Sequence, residues 1–472
     1  MIVFLAIIAH HSPCIAQQDT SQGNKDTVLT NLYDKDLLPA NFYKGRREAL
    51  RTILPENSMA TFFSSSVKNR SNDVDYEFHQ DPNFYYLTGY NEPNAILFVF
   101  KEFQIIGEDR FNELIFVQPR DLSMELWHGR RLGLEGVKNK LGFEYAYNNE
   151  DFADFAVDLS KYDKVFYFLD DNADIKDDKK ARGDLYSLKK HFSEKLDSTK
   201  RNIDLVMLKE MMASLRQVKE DEEIRLLKKA IEITCKAQAN LLRSLKPGMT
   251  EYQAEAIVEF VFKTEGAEYP GFPSIIGGGE NACVLHYTSN RKSLTEKDLL
   301  VVDVGAEYHG YSADITRTMP VSGKFSEEQR IIYNIVLEAQ NYGIKACVPG
   351  NKFWEPNQEA IKIIMKRLYQ YGITKNRQDY RKYFMHGTSH YLGLDVHDVG
   401  LYGVLSEGNV LTVEPGIYIP EGSDCDPKWW NIGVRIEDDI LITKSGHEVL
   451  SDCVPKNPTE IEQIMAEKVV PE

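Results

Sequence analysis

Short apolar runs bounded by polar residues recur through the first part of the chain. Four of them are rich in aromatic and β-branched residues and therefore predict strands: MATFF (59–63), AILFVF (95–100), ELIFVQP (113–119) and KVFYFLD (164–170). A helical spacing of apolar residues precedes them at 46–54. Strands that alternate with helices indicate an α/β domain, which we expect to end near residue 205.

Helical periodicity then dominates. The pattern over 207–245 predicts one long helix, which Pro247 ends. Thr250 and Gln253 have capping-box spacing and predict the start of the next helix. Short strands follow from Phe272 onward, and two more helical patterns interrupt them, at 326–346 and 356–372. The second domain is therefore expected to be α+β, with an antiparallel core.

The N-terminus resembles a targeting segment. Residues 2–9 (IVFLAIIA) are apolar, and Cys14-Ile15-Ala16 has the small-x-small character of a cleavage site. We therefore expect a signal peptide and an exported protein, periplasmic or secreted; a cytoplasmic protein with an apolar N-terminus is the alternative. The expected organisation is a signal peptide, a linker, two domains and a tail, at 1–16, 17–37, 38–205, 206–455 and 456–472.

Composition narrows the functional classes. The formal net charge of −16, from 72 acidic against 56 basic residues, argues against a nucleic-acid partner. No segment after the N-terminus is long and apolar enough for a stable membrane span. The six cysteines show no C-x-x-C spacing, so most are expected to be small buried residues. A pairing of Cys425 with Cys453 is left open.

Five residues of metal-ligand type are spread over the last third of the chain: Asp303, Asp314, His390, Glu414 and Glu437. Each carboxylate lies in or beside an apolar, β-branched run, where an ionised group is strongly disfavoured unless a cation or a partner compensates it. Four carboxylates and one imidazole suit two hard divalent cations. The set therefore predicts a dinuclear metal site.

The spacing of Asp303 and Asp314 predicts a hairpin with its turn near Tyr308-His309-Gly310. Residues opposite or diagonal to each other on antiparallel strands share a face, so both carboxylates can reach one metal ion. A pair of aspartates flanking a solvated turn is the alternative, but the apolar runs VVDV and SADITRT place both residues in strands.

Histidines cluster near the proposed ligands. His386 and His390 are four residues apart and share a face if their segment is helical, and His397 follows by seven. A lone histidine is more often structural than functional, but three within twelve residues favour chemistry. His286 is a further candidate on a separate segment. Arg435, two residues before Glu437, lies on the same strand face and can orient a ligand carboxylate.

These motifs resemble the pita-bread metallopeptidases, and specifically the Xaa-Pro aminopeptidases (aminopeptidase P). The resemblance covers roughly residues 40–455 and rests on motifs in the family's order. They are DPNFYYLTGYNEPNAIL, RDLSMELWHGRRLG, GGGENACVLHYTSN, LLVVDVGAEYHGYSADITRTMPV, FMHGTSHYLGLDVHDVG, VLTVEPGIYIP and NIGVRIEDDILIT. The resemblance implies an α+β pita-bread (creatinase/aminopeptidase) catalytic domain preceded by an α/β creatinase-like N-terminal domain.

The resemblance also implies roles. The five predicted ligands would hold two divalent ions, with Mn²⁺ preferred and Co²⁺, Zn²⁺ or Fe²⁺ as substitutes, and Asp314 and Glu437 would bridge them. Glu414 would in addition carry a proton to the leaving nitrogen, and the remaining active-site residues would be His286, His386, His397 and Arg435. Of these, His286 would position substrate, and His386 or His397 would stabilise the oxyanion. Phe272 departs from the tyrosine of some relatives.

The implied activity is release of the N-terminal residue from peptides with proline in second position, by attack of a metal-bridging hydroxide on the Xaa-Pro bond. Two alternatives remain: an Xaa-Pro dipeptidase (prolidase) with the same metals, and a non-catalytic pita-bread module that binds peptides or proteins. Peptides are the expected partners, and a homo-oligomer, dimer or tetramer, is a further expectation. Aromatic residues such as Tyr85 would then either reach a neighbouring active site or belong to the core.

Overall fold

The computed structural model describes residues 35–168, 182–197 and 205–467. The predicted signal peptide and most of the predicted linker lie outside these residues. The first part of the described chain is α/β, as expected. Its strands are β1 (Ser58–Phe63), β2 (Asn69–Ser71), β3 (Val74–Asp75), β4 (Ile96–Ile106), β5 (Asp109–Val117), β6 (Ala146–Asn148) and β7 (Lys164–Tyr167).

Five of these strands form one mixed sheet in the order β6-β5-β4-β1-β7. Strand β4 is antiparallel to β1 and β5, whereas β7 and β6 pair in parallel at the two edges. The helices of this part are α1 (Ala40–Ile53), α2 (Pro82–Thr88), α3 (Leu122–His128), α4 (Gly133–Leu141) and α5 (Leu185–Asp197). The four strands predicted from apolar runs are all present.

The predicted long helix is wrong in one respect, because the structure divides it into α6 (Leu205–Arg216) and α7 (Asp221–Ser244). Glu220 caps α7 in a capping box with Glu223, and such a cap starts a new helix. The residues between the two helices bond to the segment before β14 instead of continuing the helix. Val218 pairs with Asn409, and the backbone N–H of Lys219 donates to Gly408 O (2.8 Å). Tertiary contacts therefore override the local helical pattern.

The remainder is α+β with antiparallel pairing, as predicted. Helix α8 (Glu251–Thr264) begins with the predicted capping box, and α9 (Glu327–Lys345), α10 (Glu355–Gln370) and α11 (Pro458–Ala466) follow. Strands β8–β18 are Tyr269–Pro270, Ile275–Gly278, Leu299–Val304, Ala306–Tyr308, Tyr311–Ser312, Ile315–Pro320, Val410–Val413, Gly416–Ile419, Ile432–Arg435, Asp438–Thr443 and Gly446–Val449. They form small sheets ordered β13-β10-β9, β12-β11-β8, β14-β17-β18 and β15-β16.

One large apolar core runs through both parts of the fold. It contains Tyr43 and Tyr85 from the first part together with Tyr311 and Leu394 from the second. Tyr85 is thus a core residue that packs edge-on against Tyr43 of the same chain. A second cluster fills the other face of the five-stranded sheet. In the described residues, no helix combines the length and apolar character needed to cross a membrane.

A disulfide joins Cys235 on α7 to Cys453, 218 residues further along. The pairing of Cys453 with Cys425 that the sequence left open is therefore not formed, and Cys425 is a free thiol. Cys235 belongs to the buried face of α7, and this face brings it against the C-terminal segment, which the sequence pattern could not show.

Candidate metal centre

A tight hairpin places the first two predicted ligands on one face. Strands β10 and β13 are antiparallel, with Asp303 opposite Thr316, so Asp314 is the diagonal neighbour of Asp303. The hairpin turns at His309 and Gly310, which have φ of 49° and 82°. Two successive positive φ angles are typical of a type I′ turn. The predicted hairpin and its diagonal pair are confirmed.

The other predicted ligands come from strand ends on neighbouring sheets. Glu414 follows β14, and its backbone N–H donates to Thr388 O (2.9 Å). Glu437 lies between β16 and β17, and its N–H donates to Thr316 O (3.1 Å). His390 is anchored at β14, where its N–H donates to Thr412 Oγ1 (3.2 Å). These hydrogen bonds hold the backbone at all three residues, and the one from Glu437 runs directly to β13 of the Asp303–Asp314 hairpin.

The structure brings these side chains close enough to share a cation. One ligand atom from each of Asp314, His390 and Glu437 lies within 4.8 Å of the other two. His390 Nε2 is 3.4 Å from Asp314 Oδ2 and 3.7 Å from Glu414 Oε1. Asp303 Oδ1 is buried and has no hydrogen-bond partner. An unpaired buried carboxylate oxygen beside an imidazole and three more carboxyls fits a divalent metal site.

The pKa shifts of the clustered carboxyl groups also favour a metal site. Burial raises the pKa of Asp314 well above its ordinary value, and the nearby Asp303 carboxylate raises it further. Burial, followed by Asp314 and Glu414, raises the pKa of Glu437 in the same manner. Burial also raises the pKa of Glu414 to about 7. Carboxyl groups this crowded resist full ionisation unless positive charge is added among them, and bound cations supply that charge.

Arg435 holds the carboxylate of Asp303 by a hydrogen bond to one of its two oxygens. Its Nη2 donates to Asp303 Oδ2 (2.6 Å), its Nε to Thr316 Oγ1 (3.2 Å) and its Nη1 to the hydroxyl of Tyr418 (3.0 Å). Thr316 in turn donates to Glu437 Oε2 (2.6 Å). The predicted orienting role of Arg435 thus has a geometric counterpart, and its carboxylate partner is Asp303.

The histidines surround this cluster, but not on a helix face, because the segment from 384 to 398 is irregular. His386 bonds Tyr418 through Nε2 (2.8 Å) and Gly387 O through Nδ1 (2.7 Å), and burial lowers its pKa to about 4. The ring of His397 is 4.2 Å from that of His390. Burial lowers the pKa of His397, and nearby His390 and then His286 lower it further, which places all three rings in one neighbourhood.

Sequence reasoning missed several supporting residues. Thr316 lies two residues after Asp314, so the strand period of two could have identified it. Tyr418 shows no signal in the sequence. Glu251 is fully buried and accepts hydrogen bonds from Gly278 N, Asn281 Nδ2, Tyr287 OH and Lys292 N, which anchor the segment carrying His286. The helix-start position of Glu251 concealed that role.

A buried carboxylate–histidine cluster of this kind is typical of metal-dependent hydrolases. The sequence model of metallopeptidase family M24 matches residues 225–444, and that of the aminopeptidase P N-terminal domain matches 43–167. Xaa-Pro aminopeptidases from Haemophilus influenzae and Escherichia coli are 39% and 38% identical over 440 and 447 residues. These alignments cover 91% and 90% of this chain and 98% and 97% of the relatives.

Solved structures agree. Zinc-substituted aminopeptidase P of E. coli, in complex with product, superposes with a TM-score of 0.82 at 36% identity, covering 91% of this chain and 98% of that one. Aminopeptidase PepP of Pseudomonas aeruginosa gives 0.82 at 32% identity, with the same coverage. The chain belongs to metallopeptidase family M24. The resemblance stated from the motifs, and the fold that it implied, are confirmed.

Proposed function

We propose that this protein is a metal-dependent aminopeptidase that releases the first residue of peptides with proline in second position. The observation that carries the proposal is the convergence of Asp303, Asp314, His390, Glu414 and Glu437 on one site. Relatives that span nearly the whole chain are Xaa-Pro aminopeptidases. A peptide-binding module without catalysis would not require a complete set of ligands.

The five residues would hold two divalent ions. Their oxygen-rich character favours Mn²⁺, and Co²⁺, Zn²⁺ and Fe²⁺ are compatible. When bound, such ions lower the pKa of a water molecule and polarise the scissile carbonyl. Arg435 keeps the Asp303 carboxylate oriented, and Thr316 keeps that of Glu437 oriented.

We assign proton transfer and charge stabilisation to different residues among His386, His397 and Glu414. His386 uses both ring nitrogens on Tyr418 and Gly387. In the described part of the chain no protein group hydrogen-bonds the ring of His397, so His397 is the better donor to a developing oxyanion. Glu414, whose burial raises its pKa to about 7, is suited to carry a proton to the leaving proline nitrogen.

Proline explains why a dedicated enzyme is needed. A proline residue has no backbone N–H after acylation, and its ring fixes φ, so a protease that binds its substrate as a β-strand loses a hydrogen bond. A site that holds the free N-terminus near the metal ions does not depend on that bond. His286, which is exposed at the site's edge, would position the peptide.

The substrate class is tested by comparing an Xaa-Pro-Xaa tripeptide with an Xaa-Pro dipeptide on manganese-loaded protein. We expect rapid release of the first residue from the tripeptide and little cleavage of the dipeptide. Asp303→Asn serves as the inactive control. Preference for the dipeptide would make the protein a prolidase, and no cleavage of either despite bound metal would refute both peptidase assignments.

Metal affinity is expected to rise with pH, and the part of the rise that is due to Glu414 should level off near pH 7. Glu414 has its pKa raised to about 7 by burial, so below that pH a proton must leave before its carboxylate can bind a cation. Each released proton makes affinity change about tenfold per pH unit. Titration of the metal-free protein with Mn²⁺ between pH 5.5 and 8.5 measures this slope. An affinity that does not depend on pH would contradict the placement of Glu414 among the ligands.

An exposed apolar helix supports the further proposal of a homo-oligomer. None of the residues of α3 is buried, and Leu126 and Trp127 are 87% and 83% exposed. Apolar surface of this kind commonly marks a protein–protein contact.

Export of the protein through its N-terminal segment is a separate proposal.

A further inference from the structure

We infer that Arg216 and Lys219 are positioning residues for His397, which they hold in place through the buried carboxylate of Asp398. We call Arg216, Lys219 and Asp398 the aspartate clamp. The inference rests on the proposed function, because it assigns the clamp to the geometry of that reaction. In the described part of the chain, no hydrogen bond or ion pair joins these three residues to the predicted metal ligands, so the clamp would act through the backbone that carries His397.

The clamp is a fully buried group of charges. Asp398 is 2% exposed, and the side chains of Arg216 and Lys219 are equally inaccessible. Lys219 Nζ donates to Asp398 Oδ2 (2.8 Å), while Arg216 Nη2 and the backbone N–H of Val399 donate to Oδ1. Both carboxylate oxygens are thus occupied. A carboxylate held from two sides in this way has little freedom to rotate or shift.

Asp398 closes the loop that carries His397. Its backbone N–H donates to Tyr391 O (2.9 Å), so the chain from 391 to 398 returns on itself, with His390 immediately before the loop and His397 within its last turn. Gly393 packs directly on the clamp: a Cβ there would lie 2.1 Å from Asp398 Oδ2 and 3.0 Å from Lys219 Cε. The clamp therefore fixes the backbone on which the His397 ring stands.

The break between α6 and α7 sets the positions of the two basic residues of the clamp, Arg216 and Lys219. Arg216 ends α6 and Lys219 lies in the connection to α7, where its N–H donates to Gly408 O. Arg216 also donates to Asn83 Oδ1 (2.9 Å) on α2 and to Asp395 Oδ2 (2.8 Å) in the His397 loop. Two cations thus face two carboxylates, and the first part of the fold is connected to the loop. A continuous helix would hold residue 219 away from Gly408.

A purely structural role is the competing interpretation, since removing one partner of a buried ion pair destabilises a fold whatever its function. The two roles differ in what Asp398→Asn would change. The asparagine has the same size and keeps an acceptor for Arg216, but its amide faces the ammonium of Lys219 without accepting a hydrogen bond. The loop should shift, and with it His397, while the metal ligands retain their own anchors at β10, β13 and β14.

The experiment compares Asp398→Asn and Lys219→Met with Lys219→Arg and with Glu113→Gln. Glu113 is a matched control, because Arg47 and Arg51 hold its carboxylate at 2.8 and 2.7 Å far from the His397 loop in sequence. We expect the first two variants to lower kcat for an Xaa-Pro-Xaa peptide by about 10–100-fold, as for other residues that orient active-site groups, at unchanged KM and metal content. Lys219→Arg should recover most of the activity, and Glu113→Gln should lower only thermal stability.

Hydrogen–deuterium exchange gives a readout that needs no substrate. Faster exchange at 391–399 in Asp398→Asn, without a change around Asp303, is the expected result. If Asp398→Asn and Lys219→Met kept a kcat within about twofold of that of the natural protein and lost stability as Glu113→Gln does, the clamp would have only a structural role and the inference would be wrong. If the natural protein cleaves no Xaa-Pro peptide, the proposed function fails, whereas the exchange result still tests whether the clamp holds the loop.

Discussion

Glu437→Gln is expected to abolish peptide hydrolysis, with a loss greater than about a thousandfold, while the metal-free protein stays folded. Metal-ion catalysis supplies several kcal/mol of transition-state stabilisation, and each 1.36 kcal/mol corresponds to about tenfold in rate. Glu437 is only 1% exposed, and glutamine matches its volume and can still accept the hydrogen bond from Thr316. What the substitution removes is the charge that a cation requires.

The same variant should separate metal binding from folding. Burial raises the pKa of Glu437 well above its ordinary value and so disfavours the charged form in the metal-free protein, which is why a neutral glutamine should leave its melting temperature nearly unchanged. Saturating Mn²⁺ should stabilise the natural protein, by about 2.7 kcal/mol at a concentration of 100 Kd, and the variant much less. Calorimetry with and without Mn²⁺, together with metal analysis, measures both effects.

Glu448→Gln is the matched control for this prediction. Glu448 lies on β18 and pairs with Lys228 at 2.8 Å, with 48% of its side chain exposed. An exposed ion pair contributes at most about 1 kcal/mol, so this variant should keep the natural rate and metal content. If Glu437→Gln bound two ions and cleaved the tripeptide at the natural rate, Glu437 would have to be removed from the proposed ligands.

Cys453→Ser is expected to lower the free energy of unfolding by about 5 kcal/mol. The disulfide from Cys453 to Cys235 closes a loop of 218 residues, and in the chain-entropy account a cross-link of that length removes much of the freedom of the unfolded chain. Urea unfolding of the natural protein with and without a reductant, beside the variant, measures the difference. Reduction should bring the natural protein close to the variant.

Cys425→Ser provides the control, because Cys425 is a free, partly exposed thiol. Its substitution should change the free energy of unfolding by less than about 1 kcal/mol. Equal stability of Cys453→Ser and the natural protein in the absence of reductant would mean that the disulfide does not stabilise the fold. A large loss in Cys425→Ser that disappears when both proteins are compared in reductant would instead favour the Cys425–Cys453 pairing.

Local patterns predicted the elements that carry the site. The apolar runs around Asp303 and Asp314 fixed both the strands and the hairpin between them, because strand period and turn chemistry are properties of neighbouring residues. The carboxylates stood out since an acidic residue in a buried strand needs a compensating partner. Each of these signals is contained in a stretch of about a dozen residues, which is the range over which a pattern is informative.

Features set by distant contacts could not be predicted in this way. The break before α7 depends on Lys219 bonding Gly408, and the disulfide depends on a segment 218 residues from Cys235. His386 and His390 do not share a helical face, because the backbone of this segment bonds to neighbouring strands, as Thr412 does with His390. The hydroxyl of Tyr418 bonds to Arg435 and His386 because β15 pairs with β16, and this pairing is not visible in the sequence around Tyr418.

The apolar core shared by both parts of the fold limits how the protein can be divided. Tyr85 lies so close to the tip of the Asp303–Asp314 hairpin that a Cβ on Gly310 would be 3.3 Å from its ring. Removing the first part would uncover this core and leave Arg216 without Asn83. We therefore expect the half that carries the metal site to be unstable when it is expressed without the first part.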